Sequence, residues 1–137
     1  MNLRRKTATL ALTLAAAAGA AVIPAGAAHA AGACWDAGWT YTGTVGGTVN
    51  GSWRVYNCNN VPNTQVRSQP STAYGVTGTV TSNPSWFVCK TDEGGYNGGG
   101  PHPFRWLWTQ SDTGGWGWMP DTAIYSETNP VPDCITG

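Results

Sequence analysis

The chain has 137 residues, with seven basic and seven acidic side chains and a formal net charge of zero. The balance depends on the start of the sequence, where Arg4-Arg5-Lys6 precedes an apolar run rich in Ala and Leu and then Ala28-His29-Ala30. This order predicts a secretory signal peptide over residues 1–30, cleaved after Ala30. The remaining 107 residues carry four basic and seven acidic side chains, so the mature protein is mildly acidic.

Several classes of protein are excluded by this composition. Four scattered cations cannot neutralise enough phosphates to hold nucleic acid at physiological salt. No second apolar stretch reaches the roughly 20 residues that span a bilayer. The mature region has one histidine, His102, and no CxxC spacing, so we expect no metal and no cofactor. The expectation is one secreted, extracellular domain, monomeric and free or associated with the cell wall.

Four cysteines lie in the mature region, an even number that predicts two disulfides in a small exported domain. They are Cys34, Cys58, Cys89 and Cys134. Three pairings are possible, and the sequence does not choose among them. We favour Cys34–Cys58 with Cys89–Cys134, because each bridge then closes one contiguous piece of chain. Lipidation of Cys34 is a competing interpretation that would leave three cysteines unpaired.

The mature region is rich in strand-forming and turn-forming residues. It contains one leucine and one lysine, against nine valines, fifteen threonines, eight tryptophans and seventeen glycines. β-Branched and aromatic residues suit strands, and glycine at this density suits turns and bulges. No apolar pattern of helical period extends over three turns, so we predict an all-β domain with at most a single helical turn.

Seven strands are predicted from alternating patterns bounded by turn residues. In chain order they are Trp39 to Val45, Thr48 to Tyr56, Gln65 to Arg67, Val76 to Thr81, Trp86 to Thr91, Arg105 to Gln110 and Trp116 to Met119. Gly46-Gly47 predicts a hairpin turn between the first two strands, with Asn50-Gly51 as a competing turn. A glycine-rich and proline-rich loop is expected over Gly94 to Pro103.

Apolar positions of these strands define the predicted core. Its members are Val66, Val76, Val80, Val88, Leu107, Met119 and Ile124. Two pairs of tryptophans, Trp106 with Trp108 and Trp116 with Trp118, are each spaced two residues apart, so each pair projects from one face of its strand. If the two strands form a hairpin, the four rings lie side by side and Leu107 faces the other way.

We expect that both faces of this hairpin cannot be core in so small a barrel. The four rings therefore allow two interpretations. Either the tryptophans fill the interior in place of missing aliphatic residues, or they form an exposed aromatic strip. Exposed rings stack on sugars or receive a peptide with little loss of side-chain entropy. The candidate ligand-binding residues are Trp106, Trp108, Trp116, Trp118, Tyr74 and Tyr96.

The segment from Gln65 to Val80 resembles the opening motif of bacterial SH3-like domains, NVRSGPSTxYxVxGxV. Gly117-Trp118-Met119, with Ala123-Ile124-Tyr125 after it, is similar to the closing element of that family. The likeness covers about Trp53 to Tyr125, and the two motifs occur in the family's order. Gln69 stands where the family has glycine. The signal peptide and the cysteines are similar to those of small secreted members from Gram-positive bacteria.

This resemblance implies a partly open SH3-like barrel of five to six short strands over residues 53–126. A hairpin extension over residues 31–52 precedes the barrel, and a tail over residues 127–137, tied by Cys134, follows it. Arg67 of the opening motif is interpreted as a structural residue that clamps a carbonyl or forms a salt bridge.

The resemblance implies a non-catalytic module that recognises the cell envelope, through peptidoglycan peptide or glycan. A module that binds a secreted protein, as an inhibitor or accessory of an enzyme, is the first alternative. A small cell-wall hydrolase is the second, since Asp92-Glu93, Asp112 and Asp121 could supply a carboxylate pair. Acids in turns usually accept backbone hydrogen bonds instead, and His102 has no partner at a recognised catalytic spacing.

Overall fold

The computed structural model describes residues 32–135, so the predicted signal peptide over residues 1–30 lies outside the described part of the chain. Within that part the protein is all-β, as predicted, and one short 3-10 turn, Asp121–Ala123, is its only helical element. Eight strands occur there: β1 Trp35–Val45, β2 Val49–Cys58, β3 Thr64–Arg67, β4 Val76–Val80, β5 Ser85–Phe87, β6 Cys89–Thr91, β7 Trp106–Gln110 and β8 Trp116–Pro120.

The longest strands, β1 and β2, form an antiparallel hairpin. Gly46 and Gly47 both have positive φ, so the predicted turn is confirmed. Thr48 lengthens the turn by one residue, because Val45 pairs with Val49. The competing turn at Asn50-Gly51 does not form, and β2 runs without a break across the predicted boundary between residues 52 and 53.

The strands form two antiparallel sheets that do not close into a barrel within the described residues. One sheet has the order β1-β2-β5, and the other has the order β4-β3-β8-β7-β6. The predicted strand from Trp86 to Thr91 is divided at Val88, so that β5 joins the first sheet and β6 the second. All four residues from Phe87 to Lys90 are buried, because this short connection passes between the sheets.

Both faces of the β7–β8 hairpin are buried, contrary to the expectation from the sequence. Leu107 and Met119 belong to one apolar cluster, and Trp106, Trp108 and Trp118 belong to the other. The first sheet supplies the cover for the tryptophan face, since its residues Trp53 and Val55 belong to the same cluster. The hairpin extension is therefore part of the core packing.

Six of the seven predicted core residues are buried: Val66, Val80, Val88, Leu107, Met119 and Ile124. Val76 was predicted wrongly, since 46% of it is exposed. It begins β4, the edge strand of the second sheet, and pairs with Arg67 beside a register shift. Val80, at the opposite end of that strand, reaches the core, whereas Val76 extends beyond it.

The two disulfides are Cys34–Cys58 and Cys89–Cys134, so the favoured pairing is confirmed. Cys34 is thus oxidised and cannot carry a lipid on its thiol. The second bridge joins β6 to the C-terminal tail, which Lys90 also holds through Nζ contacts to the Val131 carbonyl at 2.6 Å and Asp133 Oδ1 at 2.8 Å. The predicted attachment of the tail through Cys134 is present.

The glycine-rich loop covers Trp106. The indole Nε1 of Trp106 donates to the Gly95 carbonyl at 2.8 Å, and Trp106 is fully buried. A Cβ on Gly94 would overlap the Trp106 ring and lie 2.7 Å from the Pro70 carbonyl oxygen. Gly94 is therefore required for the close approach of loop and ring.

Gly94→Ala is expected to lower the free energy of unfolding by about 1–3 kcal/mol, the usual cost of overpacking a core. Gly75→Ala is the matched control, because a Cβ there meets nothing within 4 Å. Urea unfolding of the two oxidised variants, followed by tryptophan fluorescence, measures the difference. Equal stability of the two variants would show that the loop does not pack on Trp106 as described.

Candidate functional site

Four aromatic side chains form a continuous, partly accessible surface, which we call the aromatic ladder. Its members are Trp39 and Tyr41 of β1, Trp86 of β5 and Trp116 of β8. Trp39 is 40% exposed, and the other three are half-buried. The aromatic ladder therefore crosses from one sheet to the other at the surface.

The rings of the aromatic ladder contact one another directly. Ring centroids are 5.2 Å apart for Trp39 and Trp86, 5.6 Å for Trp86 and Trp116, and 5.2 Å for Tyr41 and Trp116. Two of these contacts are edge-to-face, an arrangement favoured by the quadrupoles of the rings. Because neighbouring rings are inclined, the surface is stepped and not flat.

A buried layer of tryptophans supports the aromatic ladder from below. Trp108 stacks on Trp116 with a centroid separation of 5.9 Å, and Trp118 lies 5.1 Å from Trp108. Trp53 stacks on Tyr41 at 6.3 Å, and its Nε1 donates to the Asp133 carbonyl at 3.0 Å. The accessible rings are thus fixed by the core and lose little further freedom when a ligand binds.

A pair of glycines positions Tyr41 and Trp53. Tyr41 pairs with Trp53 across the hairpin, and Gly43 pairs with Gly51 two residues further on. A Cβ on Gly43 would lie 2.6 Å from the Tyr41 hydroxyl, and a Cβ on Gly51 would lie 2.8 Å from the Trp53 ring. Each ring therefore lies over the glycine of its own strand, and the Tyr41 hydroxyl donates to the Thr44 carbonyl at 3.0 Å.

The four tryptophans predicted as ligand-binding residues differ in exposure. Trp106 is fully buried, and Trp108 and Trp118 are 7% and 6% exposed, so these three fill the interior. Trp116 is half-buried and belongs to the aromatic ladder. Of the two interpretations drawn from the sequence, filling of the interior is therefore correct for three of the four rings, because the β1–β2 hairpin covers the face that they share.

The two predicted tyrosines lie apart from these rings. Tyr74 is 51% exposed and Tyr96 is 61% exposed, and among the described residues no ring contact joins either to the aromatic ladder. Tyr96 instead contacts Phe104 across the glycine-rich loop, with centroids 6.1 Å apart.

Trp39, Tyr41 and Trp86 were missed by the sequence reasoning. Their spacing carried a partial signal, since Trp39 and Tyr41 are two residues apart on a predicted strand. The contact of Trp86 with both sheets depends on the division of its strand at Val88. No local pattern indicates that division.

The cations of the described region are all engaged in structural contacts. Arg54 pairs with Asp36 at 2.7 Å, Lys90 with Asp133 at 2.8 Å and Arg105 with Asp92 at 2.6 Å. Arg67 Nη1 donates to the Tyr74 carbonyl at 3.0 Å, which confirms its role as a carbonyl clamp. The aromatic ladder itself consists of uncharged side chains, so the contacts that it offers are apolar and aromatic.

Three of the four candidate catalytic carboxylates, Asp92, Asp112 and Asp121, are held as structural groups. The hydrogen bond from Arg105 holds the pKa of Asp92 below its usual range. Burial disfavours the charged form of Asp112, but hydrogen bonds from Ser82 and Thr81 outweigh it and lower the pKa of Asp112. Asp121 is buried and accepts a hydrogen bond from Thr128 at 2.5 Å. A general acid for glycoside cleavage requires a raised pKa, which is opposite to the shifts at Asp92 and Asp112.

His102 lies in the glycine-rich loop and reaches the C-terminal tail. Its Nε2 is 3.0 Å from Glu127 Oε1, and Glu127 is also 3.8 Å from the buried guanidinium of Arg105. This contact ties the loop to the tail. Among residues 32–135, no group of three His, Cys, Asp or Glu side chains is arranged to hold a metal.

Comparisons with known proteins found no counterpart: no protein-family model, no curated protein and no solved structure matches the chain. In the part of the chain that the structure describes, no helix is long and apolar enough to cross a bilayer. Two disulfides are compatible with an oxidising, extracellular environment.

Asp112→Asn is expected to lower the free energy of unfolding at pH 7 by about 0.5–1 kcal/mol, because Oδ2 accepts from Thr81 N at 2.7 Å and Ser82 N at 3.0 Å but Asp112 is exposed to solvent, which screens its charge. The folded-state pKa of Asp112 is lowered, so this stability is present above the unfolded-state pKa of about 3.9 and is lost as pH falls through the folded-state value. The difference from wild type should therefore disappear in strong acid.

Denaturant unfolding between neutral pH and pH 2 measures this dependence. Glu93→Gln serves as the control, since Glu93 is exposed and has no ion-pair partner among the described residues. Its stability should stay within about 0.5 kcal/mol of wild type. A pH-independent difference for Asp112→Asn would contradict the assignment to an ionised carboxylate.

Proposed function

We propose that the protein is a secreted, non-catalytic binding module with an SH3-like domain, which recognises peptide or glycan of the cell envelope through the aromatic ladder. The observation that carries this proposal is the direct contact of four accessible rings across two sheets. Such rings bury a large area on binding at a low entropic cost.

The SH3-like assignment is supported by the positions of the two motifs. The opening motif forms β3 and β4, which pair with each other, and the closing motif lies in β8. Arg67 of the opening motif pairs with Trp118 of the closing motif in one sheet. Two segments separated by about forty residues are thereby neighbours, as expected if they define one domain.

A stepped aromatic surface suits an extended ligand with alternating apolar faces and polar edges. The C–H faces of a sugar or the methylenes and peptide planes of a glycine-rich peptide stack on such rings. Threonine and serine side chains lie on the opposite face of the β1–β2 hairpin, where Thr42 and Ser52 are hydrogen bonded at 2.7 Å. The rings next to this pair in sequence, Tyr41 and Trp53, therefore lie on the other side of the hairpin.

Binding of a secreted protein is the second candidate function. The observation in its favour is the exposed pair Tyr96 and Phe104, 61% and 49% accessible, on a loop away from the aromatic ladder. Exposed aromatic residues on loops of a rigid, cross-linked scaffold are common anchors of protein interfaces.

Trp39→Ala is expected to weaken sedimentation with purified cell walls by about tenfold, equal to about 1.4 kcal/mol, because it removes the most exposed ring of the aromatic ladder. Trp116→Ala should have at least as large an effect and should also lower stability, since that ring supports three others. Melting temperatures separate the loss of binding from the loss of folding.

Tyr125→Ala is the matched control, as Tyr125 is 42% exposed and outside the aromatic ladder. Unchanged sedimentation of Trp39→Ala would contradict the envelope proposal. Loss of capture of a secreted protein by Tyr96→Ala, with cell-wall sedimentation absent in the wild type, would favour the second function instead.

A further inference from the structure

A concave surface, separate from the aromatic ladder, lies at the tip of the β1–β2 hairpin. It is a cleft of about 240 Å³ between that tip, the turn after β3, the segment after β6 and the C-terminal tail. Its apolar walls include Val45, Val49, Trp118 and Ile135. Six of its eleven lining residues lie outside the segment that resembles SH3-like domains, and none of the eleven belongs to the aromatic ladder.

Glu93 is the charged side chain among the described residues that line the cleft. It is exposed, and no cation of the described region forms an ion pair with it. Arg54, Lys90 and Arg105 are each paired with other acids. The cleft therefore has an uncompensated negative charge at an apolar surface.

Trp118 contributes an unused hydrogen-bond donor to the same cleft. Its indole Nε1 is buried and has no hydrogen-bond partner among the described residues, although its side chain lines the cleft. Gly46 lies over this ring, and a Cβ at Gly46 would be 3.4 Å from Cζ2 and 4.0 Å from Nε1. The glycine backbone of the turn thus lies close to this donor, on the side of the cleft.

These features are complementary to a long aliphatic side chain that ends in a cation. We propose that the cleft binds the lysine side chain of an extended peptide. The four methylenes pack against Val45, Val49 and the Trp118 ring, and the ammonium pairs with Glu93. A carbonyl of the same peptide accepts from Trp118 Nε1 when the Gly46-Gly47 turn moves aside.

The test is an NMR titration of the full oxidised protein with the capped peptide acetyl-Gly-Lys-Gly-amide. The expected result is a shift of the Trp118 indole N–H and of the Glu93 and Gly46 amides, with affinity that falls as salt is added. The same peptide with norleucine in place of lysine keeps the methylenes but lacks the ammonium, and it should bind at least about threefold more weakly. An acetyl-lysine peptide should behave like the norleucine peptide.

Glu93→Gln should weaken binding of the lysine peptide by about three- to fivefold, within the range of a partly exposed ion pair. Asp36→Asn is the control, since it removes an exposed carboxylate at the opposite end of β1. Amide spectra of both variants verify that they are folded.

Equal affinity for the lysine and norleucine peptides, or an unchanged affinity in Glu93→Gln, would overturn the proposal. Shifts confined to Trp39, Trp86 and Trp116 would also overturn it, because the peptide would then occupy the aromatic ladder. If the lysine peptide does not bind the cleft, the result expected for cell-wall sedimentation of Trp39→Ala does not change. The two proposals are therefore tested separately.

Discussion

The β7–β8 hairpin is buried on both faces, and the arrangement of the rest of the domain depends on this. The chain beyond residue 30 has one leucine and two isoleucines, so aromatic rings must supply much of the apolar area. Leu107 and Met119 fill one side of the hairpin, and Trp106, Trp108 and Trp118 fill the other. The β1–β2–β5 sheet covers the tryptophan side, and the C-terminal tail is fixed beside it by the Cys89–Cys134 bridge.

A core built from tryptophan has a direct consequence at the surface. Large rings pack in contact chains, and the chain that begins at the buried Trp118 passes through Trp108 to Trp116 and ends at the exposed Trp39 by way of Trp86. The aromatic ladder is therefore the outer end of the core, which explains why its rings are held in place. The buried Nε1 atoms of Trp108 and Trp118 have no hydrogen-bond partner within residues 32–135, which is the polar cost of this packing, about 1–3 kcal/mol each.

The all-β class and the Gly46-Gly47 turn could be predicted, because both depend on local composition. The favoured disulfide pairing followed from the proximity of the cysteines along the chain, and the structure has that pairing. The burial of Trp106, Trp108 and Trp118 could not, since the alternation of a strand shows which residues share a face but not what covers that face. The exposure of Val76 could not be predicted for a similar reason, because a valine at the end of an edge strand shows the same alternation as a valine in the core. The roles of Trp39 and Trp86 depend on the change of sheet at Val88, for which the sequence has no signal.

Hydroxyl-radical footprinting of the oxidised protein, with each tryptophan quantified by mass spectrometry in the presence and absence of purified cell walls, measures both the burial of the tryptophan layer and the contact of the aromatic ladder with the cell wall. In the free protein we expect Trp35 and Trp39 to react fastest, and Trp106 and Trp118 to be protected. Cell walls should then protect Trp39, Trp86 and Trp116 while Trp35 stays reactive. Reaction of Trp106 as fast as that of Trp39 would contradict the burial of the tryptophan layer. Unchanged reactivity of Trp39, Trp86 and Trp116 in the presence of cell walls would contradict binding through the aromatic ladder.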